Sequence, residues 1–473
     1  MAYSSFFEED GIISKSLDYK NIPQELLLTP PLAETKFLIK IEGKQDSLTV
    51  RLFPDVLAIY GQDGACIRCI NLSFVKANYN IEDNSNNKYR IDLVKFHNVI
   101  SLYTDKLDKV QFWMNNLSKY CINYEFYSKY TLHECLGQGA FGTVHRVTLT
   151  STPTEEYAAK IIDKKSIKRD YKRLLFMEIQ ILQLLNNEHI IKIHEVHETS
   201  DEIVVVMELM KYGLLSDFIQ NTPKISPVQI KAIMEQILQG LKYMDSVGVI
   251  HRDIKPANIL IKEFQKIGNE KIPILKIADM GLSCFAGEEI YFEMAGTHGY
   301  MAPEVFSPNL RESGALTARV DVFSAGVIFY YMITKRSPFK TSEDTPIAKA
   351  NELGKISYDS MYITKFPKEG IDLLKRMLEP KYKLRISAKG ALEHEYFHDD
   401  DGMLGVPSLK MKSFSPGGSH LANSNSSKKL SASPDVKAAH TSKSDNKDIN
   451  KFQADLANKI KIKKMRSKSF DSP

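Results

Sequence analysis

One short stretch, VIHRDIKPANILI (249–261), holds residue types suited to chemistry on a hydroxyl and a phosphate. Asp253 is an acid that can accept the proton of a substrate alcohol. Asn258 offers a hard oxygen ligand of the kind Mg2+ prefers, and so does Asp279, twenty-six residues beyond Asp253 in LKIADMGLS. Lys255, two residues after the acid, can neutralise a transferring phosphoryl group. Phosphoryl transfer asks for little beyond such positioning and charge neutralisation.

These groups need a scaffold that presents a nucleotide to them. LGQGAFGTV (136–144) carries Gly137, Gly139 and Gly142 in a G-x-G-x-x-G pattern, where absent Cβ atoms let backbone N–H groups approach phosphate oxygens. A helix does not follow; Val144, His145, Val147 and Leu149 continue as a strand, which favours a glycine-rich hairpin lying over a nucleotide. The next run, EYAAKIID (156–163), is another strand and sets Lys160 among apolar neighbours, where an unpaired ammonium is costly. Eighteen residues on, KRLLFMEIQILQLL (172–185) has helical spacing through Leu175, Ile179 and Leu182 and offers Glu178 as its partner. Such a pair would aim the lysine at phosphates.

With these motifs in order from Leu136 to Arg385, the chain resembles the eukaryotic protein kinase family. The resemblance implies an α+β, bilobal fold over residues 130–398, a β-rich N-lobe above a helical C-lobe, with ATP between them. It implies that Leu136, Gly137, Gln138, Gly139, Ala140, Phe141, Gly142, Thr143 and Val144 cover ATP, and that Lys160, held by Glu178, contacts its α and β phosphates. Met207 would guard the rear of the adenine pocket, the backbone of Glu208 and Met210 would bond the base, and Ala158 and Leu260 would sandwich the ring. Asp253 is then the proton acceptor, Lys255 its companion, and Asn258 and Asp279 the Mg2+ ligands. Glu304 in MAPEV should pair with Arg385 in KLRIS, and Asp321 should brace the catalytic loop. Lys255 together with Thr297 in AGTHGYMAPE resembles the serine/threonine type.

Several positions depart from the family pattern. Asp-Met-Gly replaces the usual Asp-Phe-Gly, and Met280 is flexible and apolar enough to fill the same slot. Phe323 stands for the usual tryptophan. Leu214 and Ala257 stand where kinases that prefer arginine upstream of the phosphosite place glutamates, which removes the expectation of a basic substrate. Arg252 precedes Asp253, and in such kinases that arginine awaits a phosphate four residues before the threonine of the GT segment. Here that position is Glu293, so a carboxylate would stand in for phosphorylation.

The flanks set the remaining expectations. From 36 to 121 the chain alternates with period two in short runs, then changes period in TDKLDKVQFWMNNLSKYC. There Val110, Trp113, Met114, Leu117 and Cys121 share a helical face, with Thr104 or Asp105 as N-cap. Strands followed by one helix form a small barrel or sandwich, and this order resembles a pleckstrin homology domain over residues 34–122, after an N-terminal segment 1–33. That resemblance implies a phosphoinositide ligand held by Lys40, Lys44 and Arg51, yet Phe53 takes the place of a second basic residue. With 12 Lys and Arg against 10 Asp and Glu between residues 34 and 121, no strong field draws the region to anionic lipid, and a protein ligand or an autoinhibitory role fits as well.

The net charge of +5 belongs to the tail: from 403 onward 14 Lys and Arg face 5 Asp and Glu. A basic tail, not a basic domain, gives no reason to expect nucleic acid. Residues 399–473 are rich in Ser and Lys and expected disordered. INKFQADLANKIKIKKM (449–465) is an exception with an apolar face, a candidate for calmodulin, an anionic membrane or the chain's own substrate groove. Ser413 and Ser469 are candidate phosphosites. MAYSSFFEED lacks a secretion signal, no apolar run approaches the roughly 20 residues that span a bilayer, and the five scattered cysteines suit reduced thiols. A cytoplasmic location, with candidate recruitment to membranes, is expected. The functional expectation is ATP-dependent phosphorylation of protein serine or threonine in signalling. The competing reading is a nucleotide-binding scaffold that recruits partners through its flanks, although such a scaffold would be free to lose Lys160, Asp253, Asn258 and Asp279.

Overall fold

Alternation of inward and outward side chains builds the first part of the chain into strands. A computed structural model describes residues 29–41, 44–53, 56–72, 74–81, 89–95, 98–139, 142–287, 296–307, 316–339, 341, 346–358 and 360–398. Strands β1 (Ala33–Ile41), β2 (Lys44–Phe53), β3 (Val56–Tyr60) and β4 (Cys66–Asn71) form one antiparallel meander. Strands β5 (Lys76–Ile81), β6 (Tyr89–Lys95) and β7 (Asn98–Thr104) form a second. They join where β1 pairs with β7 through Leu38–Tyr103 and Ile39–Leu102. Phe37 and Ile39 on β1, and Leu48, Val50 and Leu52 on β2, point inward with period two.

Helix α1 (Leu107–Leu117) covers this face with Val110, Trp113 and Leu117, and the Trp113 ring meets Phe37 edge-on at 5.3 Å. Two local expectations need correction. The N-cap is Lys106 rather than Thr104 or Asp105, because β7 extends through Thr104, whose hydroxyl accepts the Lys106 N–H at 3.3 Å. Cys121 is fully buried but lies beyond the end of the helix. Arg51 is committed to Glu34 at 2.7 Å and lies over the Tyr60 ring at 4.4 Å. All five cysteines are free thiols.

The expected barrel does not close. The strand order β4-β3-β2-β1-β7-β6-β5 runs on through β8 (Ile122–Asn123) into the sheet of the following domain. That sheet comprises β9 (Tyr130–Gly139), β10 (Gly142–Leu149), β11 (Glu156–Asp163), β12 (Ile193–Glu198) and β13 (Glu202–Glu208). Ile122 pairs in parallel with both Lys76 of β5 and Val196 of β12, so two residues join the halves. Phe74, beside this seam, has a φ of +60°, a backbone costing about 1–3 kcal/mol for a bulky side chain and tolerated only where packing over-determines it. Its ring is 2% exposed and stacks on Phe176 of α2 (Arg169–Leu184) with centroids 4.3 Å apart.

Below the sheet, helix α3 (Pro227–Ser246) opens with a capping box between Ser226 and Gln229. Helix α4 (Arg319–Thr334) is buried nearly all round, as the centre of a helical lobe requires. Two antiparallel strand pairs frame residues 251–258: β14 (Val249–Ile250) with β17 (Cys284–Phe285), and the hairpin of β15 (Ile259–Ile267) with β16 (Glu270–Ile277). Among the described residues no helix is long and apolar enough to cross a membrane.

A buried carboxylate ties the start of the second domain to its sheet. Glu195 on β12 is fully buried and accepts hydrogen bonds from the Tyr130 hydroxyl and, at 2.9 Å, from Lys129 Nζ. His197 Nε2 stands 3.2 Å away as a charge contact. Burial alone would raise the Glu195 pKa, but His197, Lys129 and Tyr130 outweigh it and hold the group down to about 2. Its stabilisation is therefore complete above the unfolded value of 4.5 and fades as pH falls toward 2. Urea titrations of the full chain from pH 6 to pH 2 should show a loss on the order of a few kcal/mol over that window. Glu195→Gln should start less stable and show a shallower acid dependence.

Candidate active site

The loop 251–258 is fixed from beneath. Asp321, at the start of α4, accepts the backbone N–H groups of His251 and Arg252, both at 2.8 Å. Burial pushes the Asp321 carboxyl pKa up, against the opposing pull of His251 and these two N–H groups. The bonds hold Arg252 at a φ of +69°. His251 is fully buried and its Nε2 meets the Ala278 carbonyl at 2.9 Å, linking this loop to the strand end that presents Asp279.

Asp253 sits among polar partners on three sides. The Thr297 hydroxyl donates to its Oδ1 at 2.7 Å, and Lys255 Nζ lies 2.7 Å from its Oδ2. Lys255 also donates to Thr297 Oγ1 at 2.7 Å. Asn258 Nδ2 donates to the Asp253 carbonyl at 2.8 Å and to Oδ2 at 2.9 Å. With its amide nitrogen so engaged, Asn258 keeps its amide oxygen for a cation. Asp279, exposed and at a φ of +62°, supplies a carboxylate beside it, and its Oδ1 accepts the Gly281 N–H at 3.4 Å. One carboxylate plus one amide oxygen fits Mg2+, which takes few protein ligands and completes its shell with phosphate and water.

The opposite wall is built around a buried ion pair. Lys160 Nζ on β11 donates to Glu178 Oε1 on α2 at 2.6 Å, with the side chains 15% and 5% exposed. Burial works against the ammonium, but Glu178 and Asp279 outweigh it, so the Lys160 pKa is raised and the charge kept. Lys160 pairs across the sheet with Val144 on one side and Val205 on the other. At Gly142 a Cβ would lie 2.0 Å from the Ile161 carbonyl oxygen, so only glycine lets the β9–β10 hairpin approach the strand that carries the lysine. That hairpin pairs Gly137 with Val144, Gln138 with Thr143 and Gly139 with Gly142; Ala140 and Phe141, at its tip, lie outside the described residues.

The residues expected at the adenine base fall in two neighbouring pairs and at positions near them. Ala158 lies opposite Met207 on adjacent strands, Leu260 bridges to Leu214, and Met210 is half-buried beyond β13. Leu136 is 47% exposed at the mouth. The Glu208 N–H is already bonded to the Lys192 carbonyl at 3.0 Å and is therefore not available to a base. Met280 is buried as expected for the slot usually filled by phenylalanine, and the Ser283 hydroxyl donates to its sulfur at 3.3 Å.

The segment 296–304 is braced by the C-lobe. Glu304 and fully buried Arg385 form a bidentate pair at 2.5 and 2.9 Å, and the guanidinium lies 4.8 Å over the Phe323 ring, which explains why an aromatic suffices there. Asn351, fully buried, accepts the Gly299 N–H and donates to the Met301 carbonyl at 2.7 Å. No sequence signal marks Asn351; an amide in a polar helix reads as surface. Arg252 Nε donates to the Leu282 carbonyl at 2.5 Å, while Glu293 lies outside the described residues, as do Ser413, Ser469 and the segment 449–465.

A protein kinase domain model matches residues 130–397. The chain is similar to calcium-dependent protein kinase 4 of Plasmodium berghei, 33% identical over 295 residues that cover 61% of this chain and 54% of the relative. It is similar to serine/threonine-protein kinase cds1 of Schizosaccharomyces pombe, 34% identical over 280 residues, 57% of this chain and 59% of that one. A probable myosin light chain kinase of Dictyostelium discoideum is 32% identical over 279 residues, 59% of this chain and 86% of that one. The chain spans between half and two thirds of the length of the first two. The match begins at residue 130, so the strands of residues 33–104 stand outside it. With more than half of its length matched by the domain model, and with the cleft just described inside the matched region, the chain belongs to the protein kinase family.

Proposed function

We propose that this chain transfers the γ-phosphoryl group of ATP to serine or threonine hydroxyls of protein substrates. The observation that carries the reading is the 2.7 Å hydrogen bond from the Thr297 hydroxyl to Asp253, with Lys255 reaching both. It is an alcohol and a carboxylate in the relation that the reaction needs. An acceptor hydroxyl replaces Thr297 at Asp253 Oδ1, its oxygen attacks the γ-phosphorus, its proton passes to Asp253, and the bond to the β-phosphate oxygen breaks to release ADP. Lys255 neutralises charge on the γ-phosphoryl oxygens, and Lys160, fixed by Glu178, grips the α and β phosphates. Asn258 and Asp279 would hold Mg2+, which supplies further neutralisation of the phosphates.

Leu214 and Ala257 leave no carboxylate to attract an upstream arginine, which supports acceptors outside basic motifs. For the N-terminal domain, the strand order followed by α1 supports a pleckstrin-like architecture, while the engagement of Arg51 with Glu34 and Tyr60 favours a protein contact over a phosphoinositide. Incubation with radiolabelled ATP and a degenerate peptide library should label serine and threonine and spare tyrosine. Asp253→Asn should lower the rate by about 10²–10⁴-fold; equal labelling by the variant would favour the scaffold reading instead.

Activation is proposed to rest on Glu293 facing Arg252. Exposed pairs of this kind contribute about 0–1 kcal/mol, so the carboxylate would give partial rather than full activation. Phosphatase treatment of the purified chain should leave at least half of its activity, and Glu293→Ala should lower kcat severalfold. Activity lost on phosphatase treatment would show that a phosphorylated residue, not Glu293, sustains the active form.

A further inference from the structure

Helix α2 is gripped on two opposite sides. A helix turns about 100° per residue, so Phe176 and Glu178 point nearly opposite ways, while Gln183, seven residues after Phe176, returns to the same stripe. Glu178 faces the cleft and Lys160. The other stripe faces the N-terminal domain: Phe176, 8% exposed, stacks on Phe74 at 4.3 Å with the rings 21° apart, and Gln183 Nε2 donates to the Lys119 carbonyl at 3.3 Å. The domain that supplies these contacts is anchored beside them. Ile122 hydrogen-bonds through its N–H to the Val75 carbonyl at 2.7 Å, and Asn123 Nδ2 bridges the Ser118 and Val196 carbonyls at 3.1 and 3.2 Å. Phe74 and Ile122 both belong to the same continuous core as Ile179, Leu182 and Met280.

We propose that Phe74 is a positioning residue for phosphoryl transfer: from behind α2 it keeps Glu178 seated on Lys160, which makes the N-terminal domain part of the catalytic unit. This rests on the kinase activity proposed above. Lys160 has a second carboxylate neighbour, Asp279, whose charge also raises its pKa. Without the aromatic stack, α2 can rotate Glu178 away, and Lys160 then turns to Asp279, the group proposed to hold the metal. The ion pair in the cleft and the stack behind the helix are two ends of one lever. The left-handed backbone at Phe74 fits this role, since it turns the ring toward the helix from a connection between two strands of the other domain.

The test is steady-state kinetics on the full chain carrying Phe74→Ala, Glu178→Gln or both, with thermal unfolding of each protein recorded above the assay temperature. Phe74→Ala should lower kcat by roughly 10- to 100-fold, with the peptide KM changed less than about threefold, because a misplaced catalytic group affects the chemical step. On top of Glu178→Gln the same change should cost less than about twofold, since the contact that it supports is already gone. Phe74→Leu should recover part of the loss, and Phe112→Ala, at an exposed site of the same domain, should leave kcat unaltered. If Phe74→Ala does not fold, Gln183→Ala carries the test, with an expected fall in kcat of about three- to tenfold that again vanishes beside Glu178→Gln. A kcat within twofold of the unmodified chain, or an equal loss in both backgrounds, would overturn the inference alone. Absence of transfer by the unmodified chain would overturn the kinase reading, and this inference with it.

Discussion

The 2.6 Å contact between Lys160 and Glu178 is the constraint on which the rest of the cleft depends. Two charges withdrawn from water repay their desolvation only with near-ideal geometry, and losing one partner of such a pair typically costs about 3–5 kcal/mol. The pair therefore demands rigid supports, and the chain supplies them from separate directions. Gly142 lets β10 lie close against β11 beneath the lysine, the packed face of α2 carries the glutamate, and Phe74 presses on the reverse side of that helix. Because Asp279 also influences Lys160, the pair links the strand sheet to the residues beneath the cleft.

The lower half solves the same problem with different groups. Its anchors, Asp321 and the Glu304–Arg385 pair, are buried and hydrogen-bonded from several sides, and none of them faces the cleft. Their role is to fix backbone: Asp321 holds the strained Arg252, and Glu304 holds the end of the segment that brings Thr297 to Asp253. Asp253 itself is nearly buried, at 8% exposed, and its upper contact is the Thr297 hydroxyl, the group that an incoming alcohol is proposed to replace.

The candidate site is legible because it is local. VIHRDIKPAN packs an acid, a lysine and an amide within six residues, whereas the close approach of Gly142 to the Ile161 carbonyl is a steric reason for that glycine that the sequence does not announce. Strand periodicity and the α1 stripe of Val110, Trp113 and Leu117 were equally readable, since burial acts at fixed spacing. What escaped is what depends on distant partners. A two-residue strand such as Ile122–Asn123 carries no periodicity, so the fusion of the two sheets leaves no trace in a sequence that suggests a separate small barrel or sandwich. Phe74 has a left-handed backbone that no bulky residue signals, and Asn351 gains its meaning only from Gly299 and Met301. The Lys106 cap shows the same limit on a small scale, because where β7 ended decided where the helix began.

Whether the buried lysine–glutamate pair sets the nucleotide for transfer is read from single-turnover phosphoryl transfer from pre-bound ATP in Glu178→Gln. The transfer step should slow by about 10²-fold or more, while the dissociation constant for ATP rises less than about tenfold. A transfer rate equal to that of the unmodified chain would contradict that role.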